Sequence, residues 1–224
     1  MRRLLHTLGI LVILAGGLTA GSVALMSGPA SAAACSGAVP AGTSCTITGT
    51  VTLTGSTLTL TSPTSLGWTG ALNGLSQSLV DTTAGDQQYT DNDATGTGAG
   101  WHVTAAATTF TNGSYTFPDT GTFVTNGSTS SITGTAAPTA TCSSGPGSCT
   151  LPTNSTTYPV AISTAASSPT PVVIYDTAAA TGLGQIVIGG STAANPVGWW
   201  VNVPASASAG SYTSTITVEI ISGP

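Results

Sequence analysis

The chain has 224 residues, two basic side chains, seven acidic ones and a formal net charge of −5 at pH 7. Both basic residues, Arg2 and Arg3, stand at the N-terminus, and the sequence contains no lysine. Because cations are needed to neutralise phosphates, this composition excludes nucleic acid and anionic membrane surfaces as partners.

The first 32 residues have the three parts of a secretory signal peptide. Two arginines give a positive start, an apolar run follows over residues 8–14, and Ala30-Ser31-Ala32 supplies a small-residue cleavage site. We therefore predict that residues 1–32 are removed on export, which leaves no membrane span in the mature chain. Loss of both arginines changes the formal charge from −5 to −7. A retained membrane helix and lipidation at Cys35 are the alternatives.

The four cysteines form two pairs that are close in sequence, Cys35 with Cys45 and Cys142 with Cys149. Disulfides persist in exported proteins, and four cysteines allow three connectivities. We expect each cysteine to bond its near neighbour, so that each bridge stabilises a short loop. His102 is the only histidine after residue 32, and we expect no cofactor.

Apolar residues alternate with threonine along much of the chain. Three examples are CTITGTVTLT (residues 45–54), STLTLTS (residues 56–62) and TSTITVEI (residues 213–220). Such period-two alternation between turn residues predicts short strands, about ten to twelve in all. Helical periodicity is nearly absent, so the predicted class is all-β.

The predicted architecture is an antiparallel two-sheet β-sandwich that forms a single domain after the signal peptide. Residues 33–55 are expected to form an N-terminal arm and first strand with a disulfide, and residues 56–224 the sandwich. The longest loops are predicted at residues 85–99 and 138–157.

The C-terminal segment reads YTSTITVEIISGP. It resembles the distal motif of the WxL domain family, Tyr-x-x-x-Ile-Thr-Trp-Thr-Leu-x-x-x-Pro, from exported proteins of Gram-positive bacteria. Four positions match this motif in place: Tyr212, Ile216, Thr217 and Pro224. Three others differ, with the family's Trp, Thr and Leu replaced by Val218, Glu219 and Ile220. Upstream, Trp101-His102-Val103 takes the place of the family's Trp-x-Leu.

The resemblance covers roughly residues 56–224 and implies a β-sandwich that attaches non-covalently to the peptidoglycan wall. It predicts a secreted cell-surface protein whose partner is peptidoglycan or another wall glycan. The alternative is a structural or adhesive surface subunit that binds other surface proteins through edge strands, without glycan binding.

Strand parity places the two adjacent C-terminal tryptophans on opposite faces of a strand, because successive strand side chains point to opposite faces. In residues 197–203 the odd positions are Val, Trp, Val and Val, so Trp199 is predicted to face the core. Trp200 is then the outward residue, which either packs under a loop or edge hairpin or is available to a ligand. An exposed Trp can stack on the apolar face of a pyranose ring, which makes Trp200 the first candidate for glycan contact.

The same parity turns Trp101 inward as a packing residue and His102 outward. Tyr212 shares the core face of the last strand, with its hydroxyl expected to find a local partner, and Trp68 is expected in the core. The candidates for wall or glycan contact are Trp200, Trp101, His102 and Tyr212.

Three carboxylates, Asp86, Asp91 and Asp93, fall in a glycine-flanked segment that is predicted as a loop, and carboxylate oxygens are the ligands that Ca²⁺ prefers. They are the candidate Ca²⁺ ligands, and the alternative is a solvated acidic loop. The sequence has no G-x-S-x-G motif and no basic side chain after residue 3 to hold an oxyanion. We therefore expect no enzymatic activity, and the remaining alternative is a glycosidase built from two of the seven acids.

Overall fold

The structure is a computed structural model that describes residues 33–39, 41–145 and 147–224. The predicted signal peptide, residues 1–32, lies outside the described residues. The chain divides into two compact units, one up to Thr52 and the other from Leu53 to Pro224. Across the described ranges, no helix is long and apolar enough to cross a membrane.

The N-terminal unit is held by one disulfide and a short pair of parallel strands. Strand β1 (Ala33–Ala34) pairs with β2 (Cys45–Thr46). Cys35 is bonded to Cys45, which confirms the predicted local pairing. The alternating residues that follow β2 do not extend it, so most of the strand predicted over residues 45–54 is not formed.

The second unit contains twelve strands and one 3₁₀ helix, Ala84–Gln87, within the part of the chain that the structure describes. In chain order the strands are β3 (Leu58–Thr61), β4 (Gln77–Val80), β5 (Gln88–Asp93), β6 (Trp101–Thr108), β7 (Phe123–Asn126), β8 (Ala140–Cys142), β9 (Val160–Ile162), β10 (Thr164–Ala165), β11 (Val172–Thr177), β12 (Gly184–Gly189), β13 (Gly198–Val203) and β14 (Ile216–Ser222).

These strands form three four-stranded sheets. Two of them have the orders β3-β5-β12-β8 and β4-β13-β7-β9. In the third, β6 pairs with β14 along one edge and with β11 and β10 along the other. Every pair within these sheets is antiparallel except that of β10 with β6. The predicted all-β sandwich class is confirmed.

All three sheets contribute to one apolar core. Strand β6 shows how the sequence builds it, because its odd positions, Trp101, Val103, Ala105 and Ala107, are completely buried. All four belong to the same buried cluster as large side chains from the other sheets, such as Trp199. Burial of these alternate residues is the main stabilising contribution of the strand.

The segment predicted as a long acidic loop is largely ordered secondary structure instead. Residues 88–93 form β5, which lies between β3 and β12 in its sheet. Asp and Asn are poor strand formers, and this hid the alternation of Tyr89, Asp91 and Asp93, all buried, with more accessible neighbours. Pairing on both edges overrides the weak local preference.

The second disulfide joins Cys142, the last residue of β8, to Cys149. This bond confirms the second predicted pair. It closes the turn that follows the edge strand β8 and leaves no free cysteine among the described residues.

Candidate glycan-binding site

Trp200 lies on β13 but is not exposed. Only 5% of its surface is accessible, and its Nε1 donates to the Ser128 carbonyl at 2.8 Å. The covering segment, which we call the cover loop, comprises residues 127–137. It packs so closely that a Cβ on Gly198 would overlap the carbonyl oxygen of Ser128. Trp200 therefore packs under a loop, which is one of the two alternatives that the sequence left open, and it has little surface for a glycan.

The cover loop is held by Asn126, which is completely buried at the end of β7. The Asn126 Nδ2 donates to the carbonyls of Ser131 and Ile132, both at 2.9 Å, and its Oδ1 accepts from the Ser128 amide at 2.9 Å. The Asn-Gly-Ser triplet here predicts a turn. Nothing in the sequence indicates that the turn returns over a tryptophan.

Trp101 is enclosed in the core, as parity predicts. Its ring lies 6.1 Å from that of Tyr175, in a stacked arrangement, and its Nε1 donates to the Gly182 carbonyl at 2.9 Å. With no accessible surface, this ring packs and has no face to offer a glycan.

His102 is half-buried on the opposite face of β6. Its Nδ1 donates to the carbonyl of Gly223 at 2.7 Å, so the imidazole holds the residues that follow β14 against β6. In the β6–β14 pair His102 lies opposite Ile221, whereas Ile216 lies opposite Ala107 at the other end. Tyr212 lies beyond that end, so the structure does not bring the candidates His102 and Tyr212 together.

Tyr212 is the one predicted candidate that lines an open cavity. It is half-buried, with its hydroxyl donating to the Ser208 carbonyl at 3.2 Å, which is the local partner that the sequence predicts. Its ring stacks on Phe117 with centroids 4.0 Å apart. The cavity, which we call the cleft, has a volume of about 420 Å³.

Trp68 stands with Tyr212 at the cleft, although the sequence predicts it only as a core residue. Its ring makes edge contacts with Phe110 and Phe123, each with centroids 5.8 Å apart, and its Nε1 donates to the Trp199 carbonyl at 2.9 Å. The ring is half-buried, so one part packs in the core and another faces the cleft. Because Trp68 does not lie in an alternating run, no sequence pattern indicated that its ring would both pack in the core and face the cleft.

The remaining walls of the cleft come from residues 70–72, from β4 and β13, and from residues 207–211. Gln77, on β4, and the serines of the last segment add polar groups, and no charged side chain is among the described residues that line the cleft. Ligand sites typically have this size and this mixture of apolar surface with a few polar groups. The cleft can therefore accept a neutral, partly apolar ligand.

The structure does not bring the three candidate Ca²⁺ ligands together. Asp86 belongs to the 3₁₀ helix, while Asp91 and Asp93 lie two residues apart on β5. Asp93 is already engaged, because its Oδ1 accepts from the amide and the hydroxyl of Thr95 at 3.0 and 2.6 Å. Within the described residues, no group of three or more His, Cys, Asp or Glu side chains is placed to hold a metal ion.

Asp91 is completely buried, and neither of its carboxylate oxygens has a hydrogen-bond partner among the described residues. Burial raises the pKa of this carboxyl from 3.8 to about 8, and the nearby charge of Asp93 adds to the rise. Burial also raises the pKa of Asp86, with a further contribution from Asp81. Asp91 is therefore protonated in the folded chain at neutral pH.

No family model, no curated protein and no solved structure matches the chain.

Proposed function

We propose that this chain is a secreted cell-surface protein that binds peptidoglycan or another wall glycan non-covalently, without catalysis, through the cleft at Trp68 and Tyr212. The resemblance of its C-terminal segment to the WxL domain motif supports the wall as the target. The observation that carries the proposal is an open cleft with two half-buried aromatic rings and, among the residues that the structure describes, no charged side chain in its walls.

Aromatic rings and scattered polar groups are the combination that suits a sugar. A pyranose presents apolar C–H faces that pack on an aromatic ring, and its hydroxyls need hydrogen-bond partners. The half-buried rings of Trp68 and Tyr212 supply the first requirement. Gln77 and the serine-rich segment 208–211 supply the second.

The charge of the chain also favours a short-range mode of binding. The mature chain is expected to carry −7 with no compensating cation, whereas Gram-positive walls are rich in anionic polymer. Long-range electrostatics therefore oppose contact, and salt should weaken this repulsion because it shortens the Debye length. We expect wall binding to be unchanged or strengthened when NaCl is raised to about 0.5 M, where ion pairs with a basic protein would be weakened.

The test is co-sedimentation of the purified chain with peptidoglycan, using two leucines as a matched pair. Leu72 lines the cleft and is 48% exposed, while Leu75 is 68% exposed and lies outside the lining. Leu72→Asp should weaken binding by about tenfold, because it places a charge in a neutral site. Leu75→Asp introduces the same charge and should leave binding unchanged.

Three results would contradict the proposal. They are no sedimentation of the unaltered chain, equal losses in the two leucine variants, and release of the bound chain by salt. The last would indicate adsorption through ion pairs with a basic partner protein.

A further inference from the structure

A second cavity, which we call the groove, lies beside strand β14 and has a volume of about 830 Å³. Its walls are residues 62–68 and residues 211–218, with Phe110 and Trp199 also lining it. Both walls belong to the second compact unit of the chain. The groove has about twice the volume of the cleft, so it is the larger of the two spaces that a ligand could enter here.

The groove and the cleft adjoin, because four residues line both of them: Trp68, Phe110, Ser211 and Tyr212. The two larger rings among these four are fixed in place. Trp68 is held by the bond from its Nε1 to the Trp199 carbonyl, and Tyr212 is held by stacking on Phe117. The aromatic pair proposed to contact a sugar in the cleft therefore stands at the junction of the two cavities.

The groove is lined by hydroxyl groups that the protein itself does not use. Six of its serine and threonine side chains make no hydrogen bond within the described part of the chain: Ser62, Thr64, Ser65, Ser211, Thr215 and Thr217. The cover loop differs, because its hydroxyls bond one another, Ser128 with Ser130 at 3.2 Å and Ser131 with Thr133 at 3.1 Å. A hydroxyl can both donate and accept, so the groove hydroxyls are available to the hydroxyls of a sugar.

The charge of the groove restricts the kind of wall polymer that it suits. Among the residues that the structure describes, no charged side chain lines the groove. An anionic polymer, or the charged groups of a stem peptide, would need opposite charges to offset the loss of their hydration. The sugar backbone of a glycan strand has no such requirement, because its hydroxyl and amide groups are neutral.

We infer that the cleft and the groove form one continuous site for the uncharged sugar backbone of a wall glycan, so that the ligand is a run of several sugar units. This inference rests on the proposed function, because it extends the same site. Each cavity alone has the volume of a site for a drug-sized ligand, so a ligand that fills both is longer than one such molecule. The sugar at the junction packs against Trp68 and Tyr212, and the sugars that follow it bond the groove hydroxyls.

A continuous site makes affinity depend on the length of the glycan. A fragment that reaches along the groove gains contacts with each added sugar, while its translational and rotational freedom is lost only once. Binding in the cleft alone predicts a different result, since sugars beyond the cleft then add nothing. Fragments of increasing length therefore distinguish the two kinds of site.

The experiment is inhibition of co-sedimentation with intact peptidoglycan by fragments of two, four and six sugars, released from the same wall material with a muramidase. The fragments are compared at equal concentrations of disaccharide units, which removes the effect of simply supplying more sugar. We expect the six-sugar fragment to inhibit at a concentration at least about tenfold lower than the two-sugar fragment. Stem peptides released from the same wall should not inhibit.

Two exposed serines outside the strands form a matched pair of variants for this experiment. Ser65 lines the groove but not the cleft, whereas Ser167 lines neither cavity. Neither side chain has a hydrogen bond to lose within the described residues, so both variants should keep the melting temperature of the unaltered chain. Ser65→Asp should remove most of the gain with fragment length, because it places a charge in a neutral groove, and Ser167→Asp should retain that gain.

The outcomes separate this inference from the proposed function. Equal inhibition by the three fragments would overturn the inference and leave glycan binding by the cleft intact. Inhibition by stem peptides alone, or equal effects of the two serine variants, would also overturn it. Failure of the unaltered chain to sediment with intact peptidoglycan is a different result, because it contradicts the proposed function and removes the inference with it.

Discussion

Polar atoms in the buried, or sealed, parts of this sandwich depend on protein hydrogen-bond partners, whereas polar atoms at the open cleft can also bond to water. Trp200 lies under the cover loop with its Nε1 bonded to Ser128, whereas Tyr212 stands half-buried at the cleft. The Tyr212 hydroxyl has a carbonyl partner at 3.2 Å, and water can replace that partner at an open site. A sealed polar atom has no such substitute, so it must be bonded or it costs stability. The predictions below test whether this difference holds.

The largest effect is expected at Asp91, the sealed carboxyl without a partner. The folded chain keeps this proton up to about pH 8, while the unfolded chain releases it near 3.8. The unfolded state therefore binds fewer protons in this window, and stability should fall as pH rises, by at most about 1.4 kcal/mol per pH unit. Above about pH 8 both states are ionised and the fall should end.

Asp91→Asn removes this titrating group, so the free energy of unfolding of the variant should fall much less steeply with pH in the same window, with the raised pKa of Asp86 still contributing. Urea unfolding of both chains at about pH 4, 6 and 8 measures the difference. A wild-type chain that gains stability from pH 4 to 8 would show that Asp91 is paired as an anion, contrary to the structure.

The second prediction concerns Trp200. Trp200→Ala should lower the free energy of unfolding by about 3–5 kcal/mol, as expected for a large buried side chain, and leave wall binding of the folded protein unchanged. Thermal and urea unfolding measure the loss. Leu75→Ala, at a position 68% exposed, serves as a control that should change stability by less than about 0.5 kcal/mol. A loss of stability no greater than that of the control would mean that the cover loop is open in solution.

The third prediction concerns Asn126, which holds the cover loop over Trp200. Asn126→Ala removes three hydrogen bonds and leaves the carbonyls of Ser131 and Ile132 without that donor. We expect a loss of about 1–3 kcal/mol and greater quenching of tryptophan fluorescence by acrylamide, because the loop no longer covers Trp200.

Asn112→Ala is the matched control for this third prediction, since the Asn112 Oδ1 accepts from the amides of its own turn, at Ser114 and Tyr115. Equal quenching in the two variants would show that Asn126 does not hold the cover loop.

The sequence predicts those parts of the molecule that depend on local alternation. Parity correctly turned Trp101 and Trp199 into the core, and proximity correctly paired the cysteines. Strand parity could not show that the cover loop packs over Trp200, because this contact joins segments that are far apart in sequence. Composition also hid β5, whose Asp and Asn residues are stabilised as a strand only by pairing on both edges. For the same reason Trp68 could not be assigned to the cleft, which forms between segments far apart in sequence.

The smallest expected effect comes from a pair of tyrosines that carry the same group in sealed and open surroundings. Tyr158 is 5% exposed, and its hydroxyl donates to the Ile174 carbonyl at 2.7 Å and accepts from Asn154 Nδ2 at 3.1 Å. Tyr158→Phe leaves both partners unsatisfied where water has poor access, so we expect a loss of about 1–3 kcal/mol.

Tyr212→Phe removes one longer bond at the open cleft and keeps the ring stacked on Phe117. Because water can bond the Ser208 carbonyl in place of the lost hydroxyl, the loss should be no more than about 0.5 kcal/mol. Both values come from urea unfolding of the two variants under one set of conditions, with the slope checked to ensure that the unfolded states are comparable. Equal losses at the two positions would mean that the cleft excludes water as the interior does. A closed cleft of that kind could admit a glycan only after opening, and wall binding would then require a conformational change rather than a ready surface.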